Sequence, residues 1–306
     1  MKNIDEIVIA PDDIVTVTQM HHLTEIQFTE KTNTRATVKR LNNNEFLVIS
    51  TGEIKEFERT DKRSDSSQGI RKSTKALRYL INANFTGANN ECFVTLTFAP
   101  DASGWRPMLG DGCYITKMFK RLSRRLTKRY GHFEFIKVNE PHADGHAHLH
   151  VLMRFDDLDR ISISNSDMER LWSCGFVQIE SLDDVDNIGA YLSSYVTNIE
   201  VNAETLAKFS THDFLGEKIG DCVVTDSRTG KKYIKGGRLH FYPTGAQLYN
   251  KSKGIKMPSR RRMKYKDAKK IVGSANPTFA RDSHFERDGF TNETRFESYN
   301  SKRQHS

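Results

Sequence analysis

Gly145 His146 Ala147 His148 Leu149 His150 Val151 Leu152 Met153 is the stretch on which the reading of this chain turns. Histidines at every second position, followed by an apolar run, describe a β-strand, because strand side chains alternate between faces with period two. His148 and His150 then stand side by side on one face, and Leu149 and Val151 take the other. Neutral imidazole is a common ligand for transition metals and accepts harder ions when a carboxylate completes the set, so the pair is a candidate metal site.

The flanking segments set that strand in a fold. Residues 92–98 alternate Val94, Leu96 and Phe98 against Thr95 and Thr97 and stop at Pro100, which predicts a first strand. Residues 114–130 place Ile115, Met118, Phe119, Leu122 and Leu126 at helical spacing, while Lys117, Lys120, Arg121, Arg124, Arg125, Lys128 and Arg129 fill the opposite face. A strand over 133–139, a turn over 141–145 and the histidine strand to Phe155 follow. Next come a short helix from 166 or 167 to 174 and a strand over 176–180. The order β-α-β-β-α-β predicts an α+β fold of the ferredoxin-like or RRM-like kind. In that antiparallel sheet the first and third strands are central and both helices cover one face. His148 and His150 would lie on the open face beside Thr95 and Thr97. An appended helix over 181–199, with Asp183 and Asp184 in its first turn, carries Tyr191 and Tyr195 four residues apart and so on one face.

Outside this core, residues 1–65 read as a small β-rich element with strand-like runs at 14–18, 25–29 and 45–50. Residues 61–69 are a polar linker, and 73–82 form a helix with Leu77, Leu80 and Ile81 on one side. The main domain spans 70–200. A basic extension over 201–270 mixes aromatic residues with lysines around Arg238, Lys251 and Lys253, a composition suited to stacking on bases and pairing with phosphates. Residues 271–306 are charged and poor in aliphatics, which predicts a mobile tail.

With 306 residues, 37% of them hydrophobic, the chain has enough apolar material for a real core. Its net charge of +8 is segregated, with 113–130 and 251–270 basic and 1–65 and 156–187 acidic, the footprint of a groove for a polyanion. Nucleic acid is the expected partner. Thr95, Thr97, Lys117, Lys120, Arg121, Arg124, Arg125, Lys128, Arg238, Lys251 and Lys253 are the candidate contacts. Cys92, Cys113, Cys174 and Cys222 contain no C-x-x-C pair and are expected to be buried or neutral thiols. No apolar run reaches the roughly 20 residues that span a bilayer, and the first six residues lack a signal-peptide pattern, so no membrane association and an intracellular location are expected.

Phe93 to Phe98, His148 Leu149 His150, and Tyr191 Leu192 Ser193 Ser194 Tyr195 together resemble, in order and approximate spacing, the three motifs of HUH endonucleases. The chain over 52–258 looks most similar to rolling-circle replication initiators, the replication-associated proteins of Gram-positive plasmids and small phages. The resemblance implies that His148 and His150 are metal ligands for Mg²⁺ or Mn²⁺, with Glu140 as the acidic third ligand and His146 as its competitor. It implies that Tyr191 and Tyr195 are paired nucleophiles, and that the partners are single-stranded origin DNA and a host helicase and polymerase in the bacterial cytoplasm. Those proteins carry a lysine directly before the second tyrosine and another three residues after it. Here these are Ser194 and Asn198, which leaves Lys137, Arg154 or Lys251 to supply the assisting cation.

A phosphodiester resists nucleophiles because its oxygens are anionic, so cleavage needs charge neutralisation at a non-bridging oxygen and an oriented attacking group. Attack by a tyrosine phenolate leaves a 5′-phosphotyrosine and a free 3′-hydroxyl primer, and no nucleotide-binding loop is required. A relaxase or a single-strand transposase would use the same site. A non-catalytic RRM-like module would instead present aromatics where this chain offers threonines and histidines.

Overall fold

A computed structural model describes residues 6–32, 36–42, 44–57, 67–142, 144–182, 185–201, 223–225, 230–243, 246–287 and 289–303. Strands β1 (Ile14–Met20), β2 (Leu23–Thr29), β3 (Val38–Arg40), β4 (Glu45–Val48) and β5 (Ile54–Glu56) come first, then helix α1 (Ser67–Asn84) and strand β6 (Glu91–Leu96). Helix α2 (Gly112–Tyr130), strands β7 (Glu134–Pro141) and β8 (Ala147–Arg154), helix α3 (Asn165–Trp172), strand β9 (Val177–Glu180) and helix α4 (Ile188–Thr197) follow. Strands β10 (Ile199–Glu200), β11 (Val223–Thr225), β12 (Lys232–Ile234), β13 (Tyr249–Lys251) and β14 (Ser259–Lys264), helix α5 (Tyr265–Val272) and strands β15 (Phe279–Arg287) and β16 (Phe290–Asn300) complete the order.

The chain divides into two units, one made of Met1–Thr60 with Pro258–Ser306 and the other of Asp61–Met257. In the first unit, β14-β1-β2-β16-β15 form one sheet and β3-β4-β5 another. Residues 271–306, read from sequence as a mobile tail, therefore supply two long strands. The physical reason lies in what β16 turns inward: Arg295, Glu297 and Tyr299 are buried at alternate positions where a hydrophobicity reading looks for aliphatics. They satisfy one another. Arg295 donates from Nε to Glu297 Oε1 at 2.9 Å, from Nη1 to Asp282 Oδ2 at 3.0 Å and from Nη2 to Glu6 Oε1 at 2.7 Å. Removing one member of such a buried network strands the others, so Arg295→Met is expected to destabilise this unit by about 3 to 5 kcal/mol, read by chemical denaturation. The expected 201–270 extension is likewise divided, because β12 and β13 belong to the second unit and β14 and α5 to the first.

The second unit is built on the sheet β13-β7-β8-β6-β9, with every adjacent pair antiparallel. The strands β6 and β8 are central, and β13 extends the β7 edge beyond the four strands expected from sequence. Register follows the alternation of the sequence: Thr95 pairs with His150, and Glu140 pairs with His148. Leu149, Val151, Val94 and Leu96 are buried on the face that α2 and α3 cover, where Phe119 packs edge-on against Phe135 and Trp172 against Phe98. The other face is not open, contrary to the expectation. Helix α4 packs against α1 and β7, and Arg154 on this face donates to Asn84 O at the end of α1. As a result His150 is 7% and Glu140 5% exposed.

Local chemistry fixes where α4 begins. Asn187 accepts from Ala190 N–H at 3.0 Å as the N-cap, so the helix starts at Ile188 rather than at 181. Asp183 and Asp184, expected in the first turn, lie outside the described residues. Gly189 allows α4 to approach α1 closely: its N–H donates to Asn82 Oδ1 at 2.8 Å, and a Cβ there would meet that oxygen at 2.6 Å. Burial pushes the Cys92 thiol up to about 12, while Cys113 is exposed and Cys222 lies outside the described residues. Among the described residues no helix is long and apolar enough to cross a membrane.

Candidate active site

The turn between β7 and β8 brings the titratable groups together. His142 N–H donates to His146 O and Gly145 N–H to His142 O, each at 2.8 Å, and Gly145 adopts φ +85°, a left-handed conformation that favours glycine. The hairpin sets Glu140 opposite His148, with His150 one pair further in on the same face. Glu140 Oε2 is in direct contact with His150 Nε2, and Glu140 Oε1 forms an ion pair with Arg238 Nη1. On its far side, His150 Nδ1 lies 3.1 Å from Thr95 Oγ1, and the ring stacks on Phe93 with centroids 5.7 Å apart. His148 Nδ1 lies 2.8 Å from His142 Nε2.

Protonation follows from this packing. Burial alone would raise Glu140, but His150, Arg238 and His148 outweigh it and hold the carboxyl at about 2. Burial, reinforced by the neighbouring His142, takes His148 down to about 3, so its imidazole is neutral at physiological pH. A neutral imidazole beside an ionised carboxylate is donor chemistry suited to a divalent cation. The anchoring of the outer atoms suits it too, because Arg238 and Thr95 occupy the far sides and leave Oε2 and Nε2 facing each other. Among the described residues, no three His, Cys, Asp or Glu side chains converge as a ready-formed metal-binding group.

The competitor His146 turns elsewhere: its Nδ1 stands 2.9 Å from Asp144 Oδ2, although not in hydrogen-bond geometry. His142, which the sequence reading passed over, is the imidazole that touches His148. The signal was available, since a turn over 141–145 makes His142 and His148 diagonal neighbours on one face of the hairpin. Tyr191 is half-buried in the first turn of α4, and its Oη lies 3.5 Å from Glu180 Oε2. Glu180 pairs with Phe93, so it belongs to the sheet face that carries Thr95 and His150. Tyr195 is one helical turn further on, and its side chain lies outside the described residues.

The expected DNA contacts separate into groups. Thr95 serves His150, and Thr97 donates to Phe176 O at 2.9 Å. Arg125 is tied to Leu171 O and Ser173 Oγ, whereas Arg121, Lys128 and Lys253 are exposed and Lys117, Lys120 and Arg124 line a cavity on the α2 side. Arg238 is half-buried and committed inside the protein, donating from Nε to Asn198 O at 3.0 Å and from Nη1 to Pro141 O at 3.1 Å as well as pairing with Glu140. It thereby ties the carboxylate to the end of α4. Of the three candidate assisting cations, Lys137 lies on the helix-covered side against Phe119, Lys251 donates to Ile255 O at 2.7 Å, and Arg154 pairs with Asp156.

Residues 91–200 match the family model of the replication-associated protein ORF2. The matched segment contains β6 through β10 and so holds Thr95, Glu140, His142, His148, His150 and Tyr191 together. The match supports a replication-initiator role. No curated protein and no solved structure matches the chain.

Proposed function

We propose that the chain is a rolling-circle replication initiator of the HUH type, a metal-dependent endonuclease that nicks single-stranded origin DNA through a tyrosine. The observation that carries this reading is the contact of His150 Nε2 with Glu140 Oε2 beside His148, inside the segment that matches replication-associated proteins. The β6-α2-β7-β8-α3-β9 order, with β6 and β8 central, supports the ferredoxin-like version of the sheet.

His148, His150 and Glu140 would hold Mg²⁺ or Mn²⁺, which when bound neutralises charge on a non-bridging phosphate oxygen. Thr95 and Phe93 orient His150, and Arg238 keeps Glu140 ionised and aimed. A tyrosine of α4 attacks phosphorus, its Oη–P bond forms as the P–O3′ bond breaks, and the proton lost by the phenol is balanced by the one gained at the 3′ oxygen. The products are a 5′-phosphotyrosine and a 3′-hydroxyl, which the host polymerase can extend after a host helicase opens the duplex. The test is incubation with labelled single-stranded oligonucleotides tiling the DNA around the chain's own gene. Nicking that requires a divalent ion and yields a polymerase-extendable 3′ end is expected, and a 3′-phosphate product would refute the scheme.

Arg238 acts in this scheme as a positioning residue. Arg238→Met is expected to reduce nicking by about 10- to 100-fold, as loss of a ligand's outer partner does elsewhere. The metal concentration for half-maximal activity should rise in parallel. A purely structural role would lower activity without moving that midpoint.

A further inference from the structure

A cavity of about 780 Å³ opens on the face of the sheet opposite the Glu140 and His150 pair, bounded by α2, β7 and β13. Its described lining includes Lys117, Lys120, Arg124 and Lys137 and contains no Asp or Glu. Lys137 is the unusual member. Alternation along β7 turns Phe135, Lys137 and Asn139 toward the helices, so a lysine and an asparagine occupy positions where a strand under two helices calls for apolar side chains. Lys137 is 4% exposed, and its Nζ stands 5.2 Å from the Phe119 ring centroid. Among the described residues no oxygen accepts a hydrogen bond from it. Asn139 donates from Nδ2 to Gln247 O at 2.9 Å and to Asn250 Oδ1 at 3.3 Å, yet its Oδ1 is buried with no partner among the described residues.

A buried ammonium without a carboxylate is costly unless something anionic completes it. Burial draws Lys137 down to about 8, which still leaves it mostly protonated at neutral pH. Local violations of the apolar pattern persist where they serve a site. The volume exceeds what inorganic phosphate needs and falls within the range of small-molecule pockets. We propose that this cavity binds a nucleotide, with the Lys137 ammonium on a phosphate, Lys117, Lys120 and Arg124 around it, and Asn139 Oδ1 accepting from the base or sugar. The phosphate can come from a free nucleoside triphosphate or from a nucleotide unit within a DNA strand. The site does not rest on the nickase reading, because its residues lie on the other face of the sheet.

Isothermal titration of the full chain in EDTA, with dATP and separately with a single-stranded deoxyadenosine hexamer, tests this while leaving any metal chemistry silent. Lys137→Met keeps the side-chain length and removes the charge. It should weaken binding of the preferred probe by at least about tenfold, the scale of a lost charge-assisted hydrogen bond. A Lys117→Gln/Lys120→Gln double variant, changed only at exposed positions, should weaken it as well and guards against a folding defect in the first variant. Loss of dATP binding assigns the site to free nucleotide, and loss confined to the hexamer assigns it to the strand. Failure of the wild-type chain to bind either probe, or unchanged affinity for both probes in both variants, would overturn the proposal.

Discussion

His150→Ala is expected to lower nicking of single-stranded DNA by about a thousandfold or more, the several kcal/mol that charge neutralisation at the phosphate supplies. Binding of the same strand should weaken by less than about fivefold, because in the proposed scheme phosphate contacts elsewhere on the surface would carry most of the affinity. The expectation comes from the structure of the pair: His150 is buried, its Nε2 touches Glu140 Oε2, and its Nδ1 is held at Thr95. His148→Ala should behave alike, and Thr95→Val, which removes only the outer support, should cost about 10- to 100-fold. Rates measured with and without EDTA decide the matter. Nicking by His150→Ala at the wild-type rate, or by the wild-type chain in excess EDTA, would remove the metal role.

The second large effect belongs to the tyrosines. Initiating and terminating one replication round requires two cuts, and side chains four residues apart on a helix lie about 5 to 6 Å apart at Cβ, close enough to serve one phosphate site in turn. Tyr191 and Tyr195 hold that spacing on α4. The double variant Tyr191→Phe/Tyr195→Phe should form no covalent DNA adduct, whereas each single variant should retain some nicking and lose strand transfer after the first cut. If one single variant removes all adduct and the other leaves cutting and transfer intact, the enzyme uses a single nucleophile.

How far the sequence could be read depended on how the core is made. Where apolar residues alternate with polar ones, as along β6 and β8, the strands and the face shared by Thr95 and His150 were legible from residue types, whereas β6 ends at Leu96 and leaves Thr97, expected on that face, bonded to Phe176 O. The covering of the second sheet face was not, because α1 and α4 reach it through long-range packing that no local period encodes. Arg238 shows the same limit at the site. It sits in a basic stretch that reads as a phosphate contact, yet it is committed to Glu140 and to two backbone carbonyls, Pro141 O and Asn198 O, which lie 97 and 40 positions away in sequence. The strands β15 and β16 escaped notice because a buried ion network replaces the aliphatics that mark a strand.

In the proposed scheme a covalent link joins a tyrosine of α4 to the 5′ end of a nicked strand. Its most direct test is to incubate the full chain with Mn²⁺ and labelled single-stranded oligonucleotides from around its own gene, then isolate any adduct, digest it and map the modified peptide by mass spectrometry. A nucleotide-bearing peptide from 188–198, modified at Tyr191 or Tyr195, is the expected product. An adduct mapped to any other residue, or complete nicking with no adduct formed, would contradict it.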